Sequence, residues 1–286
     1  MPGWTEWGDS MRLTKSLLWH TILALAAASV VATRPALAEF QIQEAGIDKG
    51  ETEFEYRGAY HWGVPEATDS NPNANDLVQS HEFEWQYSAT DWFLVQLTLG
   101  LDQPLHENFE ASDVEFEGEF AIIKRKGDGA ALSFQAGYQK SVNGQADEIG
   151  FGPIVELASG KLLLTLNPSF TDQVGPDRET KGLGFEYGWR AEYDFAKHWG
   201  VGVEMFGNIE DLANSGSFNQ QNHSIGPTLF WHPGEQDDED DAKGKDDNDE
   251  AASSSKIQFS FNAGIQFGLT DAASDAALKF QGSLSF

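Results

Sequence analysis

The 286-residue chain contains no cysteine, which excludes disulfide frameworks, thiolate zinc sites, iron–sulfur ligation and cysteine nucleophiles. Basic residues are scarce. Lys and Arg number 18 against 46 Asp and Glu, a formal charge of −28, so binding to nucleic acid or another polyanion is disfavoured. Long apolar runs are scarce too: residues 16–33 form the only one. A mean hydropathy of −0.43 excludes a polytopic helical membrane protein but not a membrane protein whose apolar and polar residues alternate. Aromatic residues and glycine are abundant, with 20 Phe, 9 Trp, 6 Tyr and 29 Gly, and hydrophobic residues make up 40%. That is enough to fold one large domain or two small ones.

Arg12 and Lys15 precede the apolar run, and Ala36 and Ala38 follow it with A-x-A spacing. The pattern is that of a secretory signal peptide over residues 1–38, cleaved after Ala38, with an uncleaved anchor helix as the alternative. Met11 offers a second start, with a basic leader free of Glu6 and Asp9. Removing three basic and two acidic residues brings the mature charge to −29.

From Glu51 onward apolar residues recur with period two, the signal of strands with one apolar face. Phe54, Tyr56, Tyr60 and Trp62 oppose Glu53, Glu55, Arg57 and His61; Phe83, Trp85 and Tyr87 oppose Glu82, Glu84 and Gln86; Val114, Phe116, Phe120 and Ile122 oppose Asp113, Glu115, Glu117 and Glu119. Phe185, Tyr187, Trp189, Ala191 and Tyr193 oppose Glu186, Gly188, Arg190, Glu192 and Asp194. Counting all such segments to Phe286 gives twelve strands, with Pro153 and Pro168 weakening two of them. A soluble β-sandwich also alternates, but its strands run about five or six residues. Most segments here approach the ~9–11 residues of a tilted membrane strand, and the apolar faces carry no charge. The expected fold is all-β: a transmembrane up-and-down antiparallel barrel over residues 51–286, preceded by a periplasmic N-terminal segment, 39–50.

The last strand ends in Leu284-Ser285-Phe286. Together with the signal sequence and the alternation, this resembles Gram-negative outer-membrane β-barrel proteins, whose terminal aromatic residue is read by the barrel-assembly machinery. The strand count and acidic opening strand resemble the transporter-like barrels grouped with the phenol-degradation MetA-pathway family. With both barrel ends periplasmic, external loops fall at 64–78, 102–112, 140–147, 171–182, 208–222 and 271–275. Tight turns fall at Ser88–Asp91, Arg125–Gly129, Ala158–Gly160 and Ala196–His198. Trp85, Tyr87, Trp92, Trp189, Tyr193, Trp199 and Trp231 then lie near the periplasmic ends, as an interfacial girdle requires. The acidic segment 233–255 has nothing to bury and reads as a disordered periplasmic loop. It lacks the residue order that wraps calcium.

No local motif for a barrel phospholipase or protease is legible, although His61 with Asp69, or His223 with Ser224, could be paired on paper. No enzymatic activity, cofactor or metal is expected. The inward face is informative: Glu53, Glu55, Glu82, Glu84, Asp113, Glu115, Glu117, Glu119, Glu186, Glu192 and Asp194 project into the lumen with Arg57, Arg190 and Lys279. These carboxylates predict a cation-preferring pore in a monomeric barrel that passes small polar or cationic solutes through the outer membrane. The alternative is a sealed structural barrel whose loops 64–78 and 208–222 bind a surface partner.

Overall fold

The computed structural model describes residues 39–68, 70–178, 180–232 and 257–286. The signal sequence, Asp69 and the acidic segment 233–255 lie outside the described residues.

Twelve strands follow one another: β1 (Thr52–Trp62), β2 (Leu77–Thr90), β3 (Phe93–Pro104), β4 (Glu110–Ile123), β5 (Gly129–Ser141), β6 (Asp147–Ser159), β7 (Leu162–Val174), β8 (Gly184–Ala196), β9 (Trp199–Ile209), β10 (Asn222–Trp231), β11 (Gln258–Gly268) and β12 (Ala276–Ser285). Each pairs antiparallel with its neighbours in sequence, and β1 closes on β12 from Glu53↔Ser285 to Trp62↔Ala276. Closure leaves no sheet edge, so every strand has partners on both sides, as a barrel in lipid requires.

The two faces are inverted relative to a soluble protein. Outward residues such as Phe116 and Ile122 are 59% and 61% exposed, whereas inward Arg57 and Glu204 are 4% and 1% exposed. In water such an apolar exterior would be costly; against hydrocarbon it is the favourable face. This decides against the sandwich.

Both barrel ends lie at one rim, here the proximal rim. Its connections between β2 and β9 are tight, at 91–92, 124–128, 160–161 and 197–198. Gly160 turns there with a φ of +59°, a left-handed conformation that glycine adopts without strain. Distal connections run from five residues, at 105–109 and 142–146, to fourteen, at 63–76. The 102–112 loop shrinks to 105–109, because β3 and β4 both extend beyond their apolar alternation. In the 210–221 connection two short 3₁₀ turns, Leu212–Asn214 and Phe218–Gln220, order the loop. The distal loops bind one another: Gln220 Nε2 donates to Ser70 O at 3.3 Å and Asn71 Nδ2 to Asp271 O at 2.8 Å.

Proline leaves a mark on the ladder. The β6–β7 pairing skips from Phe151↔Phe170 to Val155↔Leu166 around Pro153 and Pro168, and β10–β11 skips from Ile225↔Phe267 to Thr228↔Gly264 around Pro227. Each ring removes a backbone donor, yet the strands continue because their other neighbours stay paired.

Candidate functional site

Residues 39–50, read from sequence as a periplasmic segment, instead run through the bore as a strap. Gly50 N–H donates to Ser88 O at 2.8 Å near the proximal rim, and Lys124 Nζ donates to Ile47 O at 2.6 Å. Halfway along, Gln43 N–H donates to Asn167 Oδ1 at 2.6 Å, and Asn167 Nδ2 donates back to Gln43 O at 3.0 Å. Gln43 Nε2 also donates to Glu117 at 3.2 Å, and Gln41 Nε2 to Glu84 at 3.1 Å. Glu44 pairs with Arg190, and Ala45 N–H donates to Glu156 at 3.0 Å.

Glu39 anchors the distal end. Its carboxylate accepts from Ser80 Oγ at 2.7 Å and Asn75 Nδ2 at 3.0 Å, and meets His61 Nε2 at 3.0 Å. Phe40 stacks on the His61 ring with centroids 5.8 Å apart and meets Phe206 edge-on at 5.2 Å. Twelve extended residues reach about 40 Å, enough to cross a ~30 Å hydrocarbon core. The strap's polar groups thus find partners inside the bore, and only Ile42 and Ile47 of its apolar side chains are buried.

His61 also contacts Ser274, Nδ1 to Oγ, at 2.7 Å. Ser, His and Glu are therefore in line, but both His61 and Ser274 are buried. The trio ties Glu39 of the strap to β1 and to the 269–275 connection. His223 contacts Tyr187 Oη and Gln221 Oε1, each at 3.0 Å, and so is engaged by residues other than Ser224. His61 finds Ser274 and Glu39 as partners; Asp69 lies outside the described residues.

The eleven acidic and three basic lumenal residues singled out from sequence alternate with outward apolar ones. Around Arg57 the structure gathers Glu55, Glu82 and Glu84, with Glu84 at 2.9 Å, in a buried four-residue cluster. Arg190 faces Glu192 at 3.5 Å as well as Glu44, and its guanidinium lies 5.1 Å over the Phe230 ring. Lys279 pairs with Glu204 at 2.6 Å. Glu53, Glu115, Glu117, Glu119 and Glu186 have no base within ion-pair distance among the described residues. The bore therefore keeps an uncompensated acidic wall on β1, β4 and β8.

Glu39, Gln41, Gln43, Glu44, Glu156 and Glu204 went unnoticed at the sequence level. Glu156 and Glu204 occupy inward positions that the period of two would have assigned. The strap had only the short alternation of Phe40 and Ile42 with Gln41 and Gln43. Gly188 makes room for it. A Cβ there would stand 3.1 Å from Gln41 O and 3.2 Å from Ile42 Cγ1. Gly188→Leu is expected to displace the strap at a cost of about 1–3 kcal/mol, accelerating amide hydrogen exchange at residues 40–43 about tenfold or more. Unchanged exchange would show that the strap does not pack against β8.

Of the aromatic girdle, Trp85, Tyr87, Tyr193 and Trp199 are exposed on the outer face. Trp199 pairs with Trp231 at the proximal rim. Trp189 departs from expectation: it sits at mid-height on β8, opposite Leu166 and Met205. Its face follows from the period of two, but its height follows from where β8 ends. Phe286 exchanges two backbone hydrogen bonds of 3.0 Å with Thr52 and stacks on Phe54 with centroids 6.2 Å apart, closing the seam.

No protein-family model matches the sequence, and no curated protein matches it. Solved structures match the fold. An outer membrane channel from Pseudomonas putida F1 superposes with a TM-score of 0.53 at 8% identity, over 88% of this chain and 100% of that one. The NanC porin gives 0.46 at 11% identity, over 82% of this chain and 98% of that one. The likeness to the Pseudomonas channel is one of architecture, and the chain has the fold of the outer-membrane β-barrels.

Proposed function

We propose that the protein is a monomeric outer-membrane channel for small cationic or polar solutes, with the proximal rim in the periplasm and the strap closing the bore at rest. The observation that carries this reading is the uncompensated acidic wall formed by Glu53, Glu115, Glu117, Glu119 and Glu186. Closely spaced carboxylates in a low-dielectric tube attract cations and repel anions. In this reading Phe286 is the residue that the assembly machinery recognises, and the chain belongs with the MetA-pathway barrels named above.

Planar-bilayer recording with the strap released tests the proposal. A salt gradient is expected to give a cation-biased reversal potential. Glu115→Gln, Glu117→Gln and Glu119→Gln together are expected to reduce the cation preference roughly twofold or more. Anion preference, or a bias indifferent to these substitutions, overturns the role of the acidic wall. The second reading, a sealed barrel, draws on the strap's occupancy of the bore and on the mutual hydrogen bonds of the distal loops. It predicts no conductance with or without the strap.

A further inference from the structure

A separate cluster lies at the proximal rim. Glu192 and Asp194, two residues apart on β8, project from the same face. His232 follows directly after β10, and β9 runs between. Gly200 on β9 pairs with Asp194 on one side and Phe230 on the other. A Cβ at position 200 would strike the Glu192 carboxylate. Because that side chain is missing, the three groups meet across the intervening strand. His232 Nε2 lies 3.2 Å from Asp194 Oδ1 and 3.3 Å from Glu192 Oε1, and the donor atoms all fall within 4.8 Å of one another. Backbone pairing of His232 N–H with His198 O at 3.3 Å holds the histidine in place.

A second observation points to an occupant. The Glu192 side chain is 7% exposed, and its Oε2 faces Arg190 Nε at 3.5 Å. Its Oε1 is buried, accepts no hydrogen bond, and is aimed into the space shared with His232. A buried carboxyl oxygen left without a hydrogen bond is costly, and a bound cation would remove the cost.

We propose that Glu192, Asp194 and His232 form a binding site for a transition-metal dication of the zinc class. Bonds of ~2.0–2.1 Å from a tetrahedral zinc ion place neighbouring ligand atoms about 3.3 Å apart, the spacing of His232 Nε2 from each carboxylate oxygen. One imidazole nitrogen with two carboxylate oxygens suits zinc, whereas calcium takes about six to eight oxygens. Three protein ligands leave a fourth position for water, which enters past the half-exposed Asp194 and His232 side chains. On binding, His232 Nε2 presents its lone pair to the metal, and any Nε2 proton moves to solvent or is carried by Nδ1 instead. The site is independent of whether the bore conducts.

The test is titration of the full-length protein, folded in detergent micelles, with zinc and with calcium. One zinc ion per chain is expected, with Asp194→Asn and His232→Gln each weakening binding about tenfold or more. Asp194 lies two residues from the end of β8 and His232 just after β10, and an unchanged mobility of the unheated variants on a denaturing gel verifies their folding. Should a variant fail to fold, the unmodified protein decides: zinc is expected to protect His232 from carbethoxylation by diethyl pyrocarbonate. Absent zinc binding, equal zinc binding by the doubly substituted protein, displacement of zinc by equimolar calcium, or unprotected His232 would each overturn the assignment.

Discussion

Deleting residues 41–48 is expected to raise single-channel conductance about tenfold or more over the intact protein, because a twelve-stranded barrel encloses a bore wider than its own side chains fill. The strap occupies that bore through contacts that water can replace. Its hydrogen bond to Asn167 is worth ~0.5–1.5 kcal/mol net and those to the carboxylates of Glu84, Glu117 and Glu156 ~1.5–3 kcal/mol each. The triple replacement Gln41→Ala, Gln43→Ala and Glu44→Ala keeps the chain length and removes three of the side chains that tie the strap to β2, β4 and β8. It is expected to give frequent openings rather than a permanently open state, because Glu39 remains latched to His61, Ser80 and Asn75. Conductance equal to that of the intact protein in both variants would remove the strap as the gate. Complete silence in all three proteins would favour the sealed barrel.

Replacing Arg57 by alanine is expected to destabilise the barrel by about 3–5 kcal/mol, the cost of stripping the partner from buried charges. Glu55, Glu82 and Glu84 converge on this one guanidinium, and all four side chains are buried. Without it, three carboxylates face one another in a low-dielectric wall with Gln281 and Gln96 as neutral neighbours. The measurement is the temperature at which the unheated, fast-migrating gel species is lost. Adding Glu82→Gln and Glu84→Gln to the alanine variant should recover much of the loss, because the repulsion goes with the charges. A melting temperature for Arg57→Ala within error of the unsubstituted protein would mean the cluster is solvated and contributes little.

The barrel was legible because the period of two is a local property. A strand in a sheet that faces lipid on one side and polar groups on the other must alternate residue by residue. Twelve apolar faces could therefore be counted, and Glu55, Arg57, Glu82, Glu84 and Arg190 assigned to the bore, from neighbours alone. The expected loop 102–112 proved shorter because hydrogen bonding carries β3 and β4 past their last alternating apolar residues.

The strap was not legible, for a reason that is equally physical. Its partners stand 43, 74, 111, 124 and 146 residues away in the chain, and no pattern within 39–50 encodes a contact at such separations. The same holds for Glu192, Asp194 and His232. The spacing of the two acids on one face was readable, but their meeting with His232 depends on Gly200 leaving a gap on a strand that lies between them. Alternation by itself determined which residues face lipid and which face the bore, because that choice is made one residue at a time. Closure of the ring decided which lumenal groups meet, and whether the bore is open, because those depend on strands brought together from distant parts of the chain.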